Sequence, residues 1–134
     1  WQPGERVRLC LPMEPQLVEA HPRVEALRGQ VAVTRGPILY CLESPDLPEG
    51  VRVSEVRLTP AAAFRPMQHA HLLGGVTVLE GHAARVPEGD WSGQLYRPYR
   101  RVPPERLPVR LIPYFAWANR GISQMSVWLP LAEA

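Results

Sequence analysis

The run Ile38-Leu39-Tyr40-Cys41-Leu42 is apolar on both of its faces. A strand sends alternate side chains to opposite faces, so a segment apolar at every position belongs in the middle of a sheet, covered above and below. Gly36-Pro37 forces a bend before it, and Ser44-Pro45-Asp46 with Pro48-Glu49-Gly50 supplies loop chemistry after it. Upstream, Gln30 to Arg35 alternates around Val31 and Val33, and Gln16 to Ala20 is a short extended piece broken by His21-Pro22. Arg6 to Leu11 predicts a first strand, with Val7, Leu9 and Leu11 on one face, Arg6, Arg8 and Cys10 on the other, and Pro12 at its end. Downstream, Val51 and Val53 share one phase while Val56 and Leu58 share the other, which predicts a β-bulge between them. Gly74-Gly75 introduces a strand over Val76 to Leu79. Val109 to Ala118 and Gln124 to Leu129 flank Asn119-Arg120-Gly121, whose turn chemistry predicts a closing hairpin. In that hairpin Val109, Leu111, Phe115 and Trp117 share one face, as do Met125, Val127 and Leu129.

No segment sustains a helical apolar stripe; Ala61 to His71 comes nearest, and Pro60 and Pro66 constrain it. With 16 Pro and 10 Gly in 134 residues, the chain is cut into short pieces. Many short strands separated by turn signals predict an all-β fold, a β-sandwich of jelly-roll-like type, occupying residues 1–134 as one domain. All 15 basic residues are Arg, balanced by 13 acidic ones to a formal net charge of +2. That balance argues against nucleic acid as a partner, and no apolar run approaches membrane-spanning length. The opening Trp1-Gln2-Pro3-Gly4 has neither a starter Met nor a signal peptide, which suggests a piece of something longer or a mature form. Cys10 and Cys41 both lie in apolar runs and read as buried or half-buried thiols. Two cysteines make no disulfide framework, which leans towards the cytoplasm.

Three stretches resemble a known family. They are Trp1-x-x-Gly4-Glu5-x-Val7-x-Leu9 with Leu11-Pro12-Met13, then Arg35-Gly36-Pro37-Ile38-Leu39-Tyr40-Cys41-Leu42-Glu43, then Pro113-Tyr114-x-Ala116-Trp117-Ala118-Asn119-Arg120-Gly121 with Met125-x-Val127-Trp128. In this order the chain resembles the C-terminal region of the β-L-arabinofuranosidases of glycoside hydrolase family 127. The resemblance implies a sandwich domain at the C-terminal end of a longer enzyme, whose N-terminal (α/α)6 barrel carries the catalysis. It implies zinc in that barrel, held by Cys and Glu and carrying a cysteine nucleophile. This chain has no adjacent Cys pair and no Glu-x-Cys, so no catalytic position carries over and no cofactor is expected here. The positions that do carry over are architectural: Arg35, Gly36, Pro37, Tyr40, Glu43, Tyr114, Trp117, Asn119, Arg120, Gly121 and Trp128. Gly36-Pro37 fixes a bend, Asn119 and Gly121 suit left-handed turn positions, and Trp117 and Trp128 offer apolar area to a core. Arg35 and Arg120 are candidates to pair with Glu43, or with carbonyls of a neighbouring domain.

Among candidates for chemistry, Glu43 and Asp46 are close in sequence, and a surface loop is the plain alternative to a glycosidase acid pair. His69-x-His71, with His82, has the residue types of a zinc site without a full ligand set. Val86 to Arg106 is long and aperiodic, and it sets Trp91, Tyr96 and Tyr99 among Arg97, Arg100 and Arg101. Such a set suits docking on the catalytic domain or on a second subunit, since interfaces favour Tyr, Trp and Arg. It equally has the parts of a glycan contact, and so of a carbohydrate-binding module. The expected partners are therefore the protein's own N-terminal catalytic domain, a second copy in a homodimer, or a glycan.

Overall fold

A computed structural model describes residues 1–132. Nine strands follow one another: β1 (Pro15–Glu19), β2 (Gln30–Arg35), β3 (Ile38–Glu43), β4 (Val56–Arg57), β5 (Phe64–His69), β6 (Val76–Arg85), β7 (Glu105–Pro113), β8 (Met125–Ser126) and β9 (Leu129–Pro130). All pair antiparallel in one sheet, in the order β1-β2-β3-β7-β6-β4, with β5 on β6, β8 on β3 and β9 on β2. The all-β class is as the sequence predicts. The layers of the sandwich are two parts of one curled sheet rather than separate sheets.

Closure comes from the last residues. Leu129 pairs with Val31 of β2. Just beyond β4, the amide of Leu58 donates to the carbonyl of Pro130 at 2.8 Å, and the Ala132 amide returns a bond to the Leu58 carbonyl at 2.7 Å. The strand at one end of the sheet is thus stitched, through β9, to β2 near the other. Inside this ring lie Val33, Tyr40, Leu42, Val56, Leu58, Leu79, Leu111 and Leu129. A smaller cluster on the opposite face joins Cys41, Val76, Val78, Ile112 and Ala116. β3 therefore buries Tyr40 and Leu42 in one cluster and Cys41 in the other, as its two-sided apolarity requires.

Four expectations change. Arg6 to Leu11 forms no strand in this sheet, and Val7, Leu9, Leu11 and Cys10 are exposed. The phase fault in Val51 to Leu58 is a single 3-10 turn, Val53–Glu55, rather than a bulge. It is held because the buried Glu55 carboxylate accepts the amides of Arg52 and Glu88 and the Arg85 guanidinium. The closing hairpin is absent: β7 pairs with β6 and β3, β8 with β3, and β9 with β2. Pro113, which has no N–H, ends β7, and a 3-10 turn over Tyr114–Ala116 turns Phe115 and Trp117 outward. Neither Trp117 nor Trp128 enters the core, and Tyr40 is its only fully buried aromatic among the described residues.

Candidate functional site

The chemistry-bearing residues gather at two places. The first is the end of β3. Glu43 extends β3 onto the face shared with Cys41 and is fully buried; Asp46, in the turn that follows, has a side chain 1% exposed. The Arg120 guanidinium lies between them. Its Nε donates to Glu43 Oε2 at 3.2 Å and its Nη1 to Asp46 Oδ1 at 3.0 Å, and Nη2 reaches both carboxylates. The other oxygen of Glu43 accepts the Ala118 amide at 3.0 Å and the Ser123 hydroxyl at 2.6 Å. Burial alone would raise the Glu43 pKa, but the bonds from Ser123, Arg120 and Ala118 outweigh it and hold the carboxyl below its usual range. Arg120, bonded by Asp46 and Glu43, is pushed the other way, above its ordinary value.

This arrangement corrects the surface-loop expectation for Glu43 and Asp46, which are buried. It also gives the pair no acid–base function: both oxygens of Glu43 are occupied by donors, and no proton is available to give. The network continues across β7, where Arg110 reaches Asp46 at 3.7 Å and Glu80 at 3.4 Å, and on to His69, whose Nε2 lies 3.3 Å from Glu80. Sequence reasoning linked Arg120 to Glu43 but missed Asp46, Ser123 and Arg110. The signal available was spacing: Asp46 follows Glu43 by three residues, the reach of one tight turn. Arg35, the other candidate partner of Glu43, instead sits beside Tyr40 with its Nε buried and without a partner among the described residues. The buried Tyr40 hydroxyl donates to the Thr77 carbonyl at 2.9 Å.

The histidines do not converge. His69 pairs in register with Val76, His82 with Pro108, and His71 lies in the turn beyond β5. Among the described residues no three His, Cys, Asp or Glu side chains are placed to hold a metal ion. Cys10 is exposed and Cys41 buried, and burial pushes the Cys41 thiol up to about 12. A thiol with that pKa is neither a zinc ligand nor a nucleophile at neutral pH. These residues do not fit a zinc centre.

The second place is the 86–104 loop. Its base is pinned by the Val86 and Glu88 amides on Glu55, by Arg52 on Glu88 at 3.2 Å, and by the Trp91 indole N–H on the Glu88 carbonyl. Arg97 lies over the Trp91 ring at 3.9 Å and donates to the carbonyls of Asp90 and Glu88. One face of Trp91 is therefore covered by its own loop. Tyr96 and Tyr99 are 92% and 85% exposed, with Arg100 and Arg101 beside them. A groove of about 530 Å³ runs between Trp91, Tyr99, Arg100 and Arg57.

The remaining motif residues shape turns. Gly36, before Pro37, takes a φ of 57°, which an L residue rarely adopts. In the 117–121 turn the left-handed positions are Ala118 and Gly121, not Asn119. Asn119 instead donates its side-chain amide to the carbonyls of Ala116 and Trp117. Tyr114 stacks on Trp117 with centroids 6.4 Å apart. Trp128 is half-buried beside β9.

The family model for the glycoside hydrolase family 127 C-terminal domain matches residues 15–130. The chain belongs to that family. A non-reducing end β-L-arabinofuranosidase of Bifidobacterium longum subsp. longum is 37% identical over 129 residues, covering 91% of this chain and 19% of the relative. The crystal structure of a family 127 β-L-arabinofuranosidase from Geobacillus stearothermophilus T6 superposes with a TM-score of 0.77 at 41% identity, over 90% of this chain and 19% of that one. A solved glycoside hydrolase gives a TM-score of 0.80, also at 41% identity, over 90% and 20%. The chain thus spans about a fifth of the length of these relatives. The three sequence stretches that carry the resemblance fall on the 1–14 segment, on β2–β3 and on the β7–β8 region of this family 127 domain.

Proposed function

We propose that this domain is the non-catalytic accessory domain of a glycoside hydrolase resembling the β-L-arabinofuranosidases, bracing an N-terminal (α/α)6 catalytic barrel. The observation that carries this reading is the state of Glu43 and Asp46. The acid pair nearest to a glycosidase arrangement is buried and locked on Arg120. The parent protein would cleave a terminal arabinofuranosyl or related sugar, and zinc would be bound in its barrel rather than here. Docking has material to work with: Tyr96, Tyr99, Phe115 and Ile122 stand in solvent as large apolar groups. The same surface would serve a homodimer.

The rival reading, an autonomous carbohydrate-binding module, would use Trp91, Tyr96 and Tyr99. Arg97 already stacks on Trp91, which leaves the two tyrosines as the open rings. The test of the main reading is hydrolysis of an aryl β-L-arabinofuranoside by this chain and by the longer protein that includes its upstream sequence. Activity in the longer protein alone supports it; turnover by this chain alone defeats it. Heat on titrating this chain with arabino-oligosaccharides, abolished by Tyr99→Ala, would favour the rival.

A further inference from the structure

Arg6 to Leu11 keeps the strict alternation of a strand, yet it pairs with nothing among the described residues. Val7, Leu9 and Leu11 all point the same way in that alternation and are 72%, 79% and 51% exposed. Arg6, Arg8 and Cys10 occupy the opposite positions and are exposed as well. A half-apolar, half-charged extended segment is the pattern of a strand with one face on a core and one in water. The core of this domain does not receive it.

The path of the chain explains why. Pro15 pairs with Arg35 at the end of β2, and β1 runs from there alongside β2. Immediately before β1, Pro12 and Met13 cross the β2–β3 turn at Gly36. A Cβ at Gly36 would collide with the Met13 thioether and lie 3.1 Å from the Pro12 carbonyl. The chain therefore approaches β1 from beyond the end of the sheet, and residues 6–11 lead away from it instead of lying on the open edge of β1. The family model also begins at Pro15, which leaves the segment outside the domain boundary, while the relatives extend about fivefold beyond this length.

We infer that Arg6–Leu11 is a strand of a second sheet, formed by the polypeptide that precedes it in the longer protein, with Val7, Leu9 and Leu11 turned into that sheet's core. Only Pro12-Met13-Glu14 then separates the last strand of one unit from β1 of the next. Two units joined through a shared extended segment with Pro at both ends of its connection, and with Met13 seated on Gly36, have little freedom to swing. The inference shares with the accessory-domain reading the existence of a longer protein. It is independent of which unit catalyses and of the sugar.

The test is amide hydrogen exchange on this chain and on the longer protein. Amides of residues 6–11 are expected to exchange at free-chain rates in this chain at every concentration. In the longer protein, the alternate amides that face the partner strand should slow by at least a hundredfold. Protection that rises with concentration in this chain alone would mean pairing with a second copy and would overturn the inference, as would free exchange in both proteins. Leu9→Asp gives an independent readout: it should lower the melting temperature of the longer protein and leave that of this chain unchanged. Equal melting shifts in both would defeat the proposal. Turnover by this chain alone would remove the accessory-domain reading while leaving the exchange result intact.

Discussion

Arg120 and Glu43 stand 77 residues apart in sequence and meet in a buried ion pair that also holds Asp46. The guanidinium neutralises two carboxylates that are almost wholly out of water. Removing it strands both. Arg120→Ala should cost about 3–5 kcal/mol, the penalty for breaking a buried pair from one side. Arg120→Lys should recover only part, because an ammonium cannot reproduce the fork that spans Glu43 and Asp46. Urea denaturation of the three proteins measures this, and a loss under about 1 kcal/mol for Arg120→Ala would show that the pair is solvated after all.

Acid sensitivity follows from the same carboxylate and from Glu55. Burial pulls both pKa values up, and the surrounding donors outweigh it, so both lie below the ordinary range in the folded state. Their contribution to stability is complete above the unfolded carboxylate pKa of about 4.3 and is lost as pH falls through the depressed folded values. Glu55→Gln should therefore be less stable than wild type at pH 7, with the gap closing towards pH 3. A gap that stays constant across that range would rule out this origin.

The two thiols should separate cleanly in a modification assay. Cys10 is exposed and should react with a thiol reagent at once in native buffer. Cys41 is buried, with its pKa pushed up to about 12, and should react only on unfolding. Two equivalents titrated rapidly in the native state would contradict the position of β3.

Gly81 lies at a close approach of two strands. A Cβ there would stand 2.7 Å from the Ala63 carbonyl oxygen and 2.8 Å from the Phe64 ring. The ring can move but the backbone carbonyl cannot do so cheaply, so Gly81→Ala should destabilise by about 1–3 kcal/mol through overpacking. A thermal melt tests this, and an unchanged midpoint would mean that β5 shifts freely against β6.

How much of this was legible beforehand differs by residue. β3 could be read because an all-apolar run has one good explanation, and its neighbours on both faces supplied it. Val7, Leu9 and Leu11 were legible as a strand but not as to which sheet, because alternation reports local geometry and carries no address. The closing hairpin failed for a related reason. Turn chemistry at 119–121 was correctly seen, yet Glu43 captures that turn from another strand, and no local pattern encodes a partner 77 residues away. Phe115 and Trp117 were assigned inward by periodicity, which a three-residue 3-10 turn resets. Glu55 went unnoticed because its donors come from the 86–88 stretch of a loop with no periodicity of its own.

The stitch between Leu58 and residues 130–132 also sets the order in which this domain can be completed. Translation delivers β2 about a hundred residues before β9, yet Val31 acquires its Leu129 neighbour only when the latter leaves the ribosome. Until then the Tyr40–Leu42 interior is open at one seam. Folding is thus deferred almost to the last residues made, with the slow, non-local pairing that such topology brings. A ribosome that stalls even a few codons short of Leu129 releases an unclosed sheet, a form that quality-control proteases can distinguish from the finished domain.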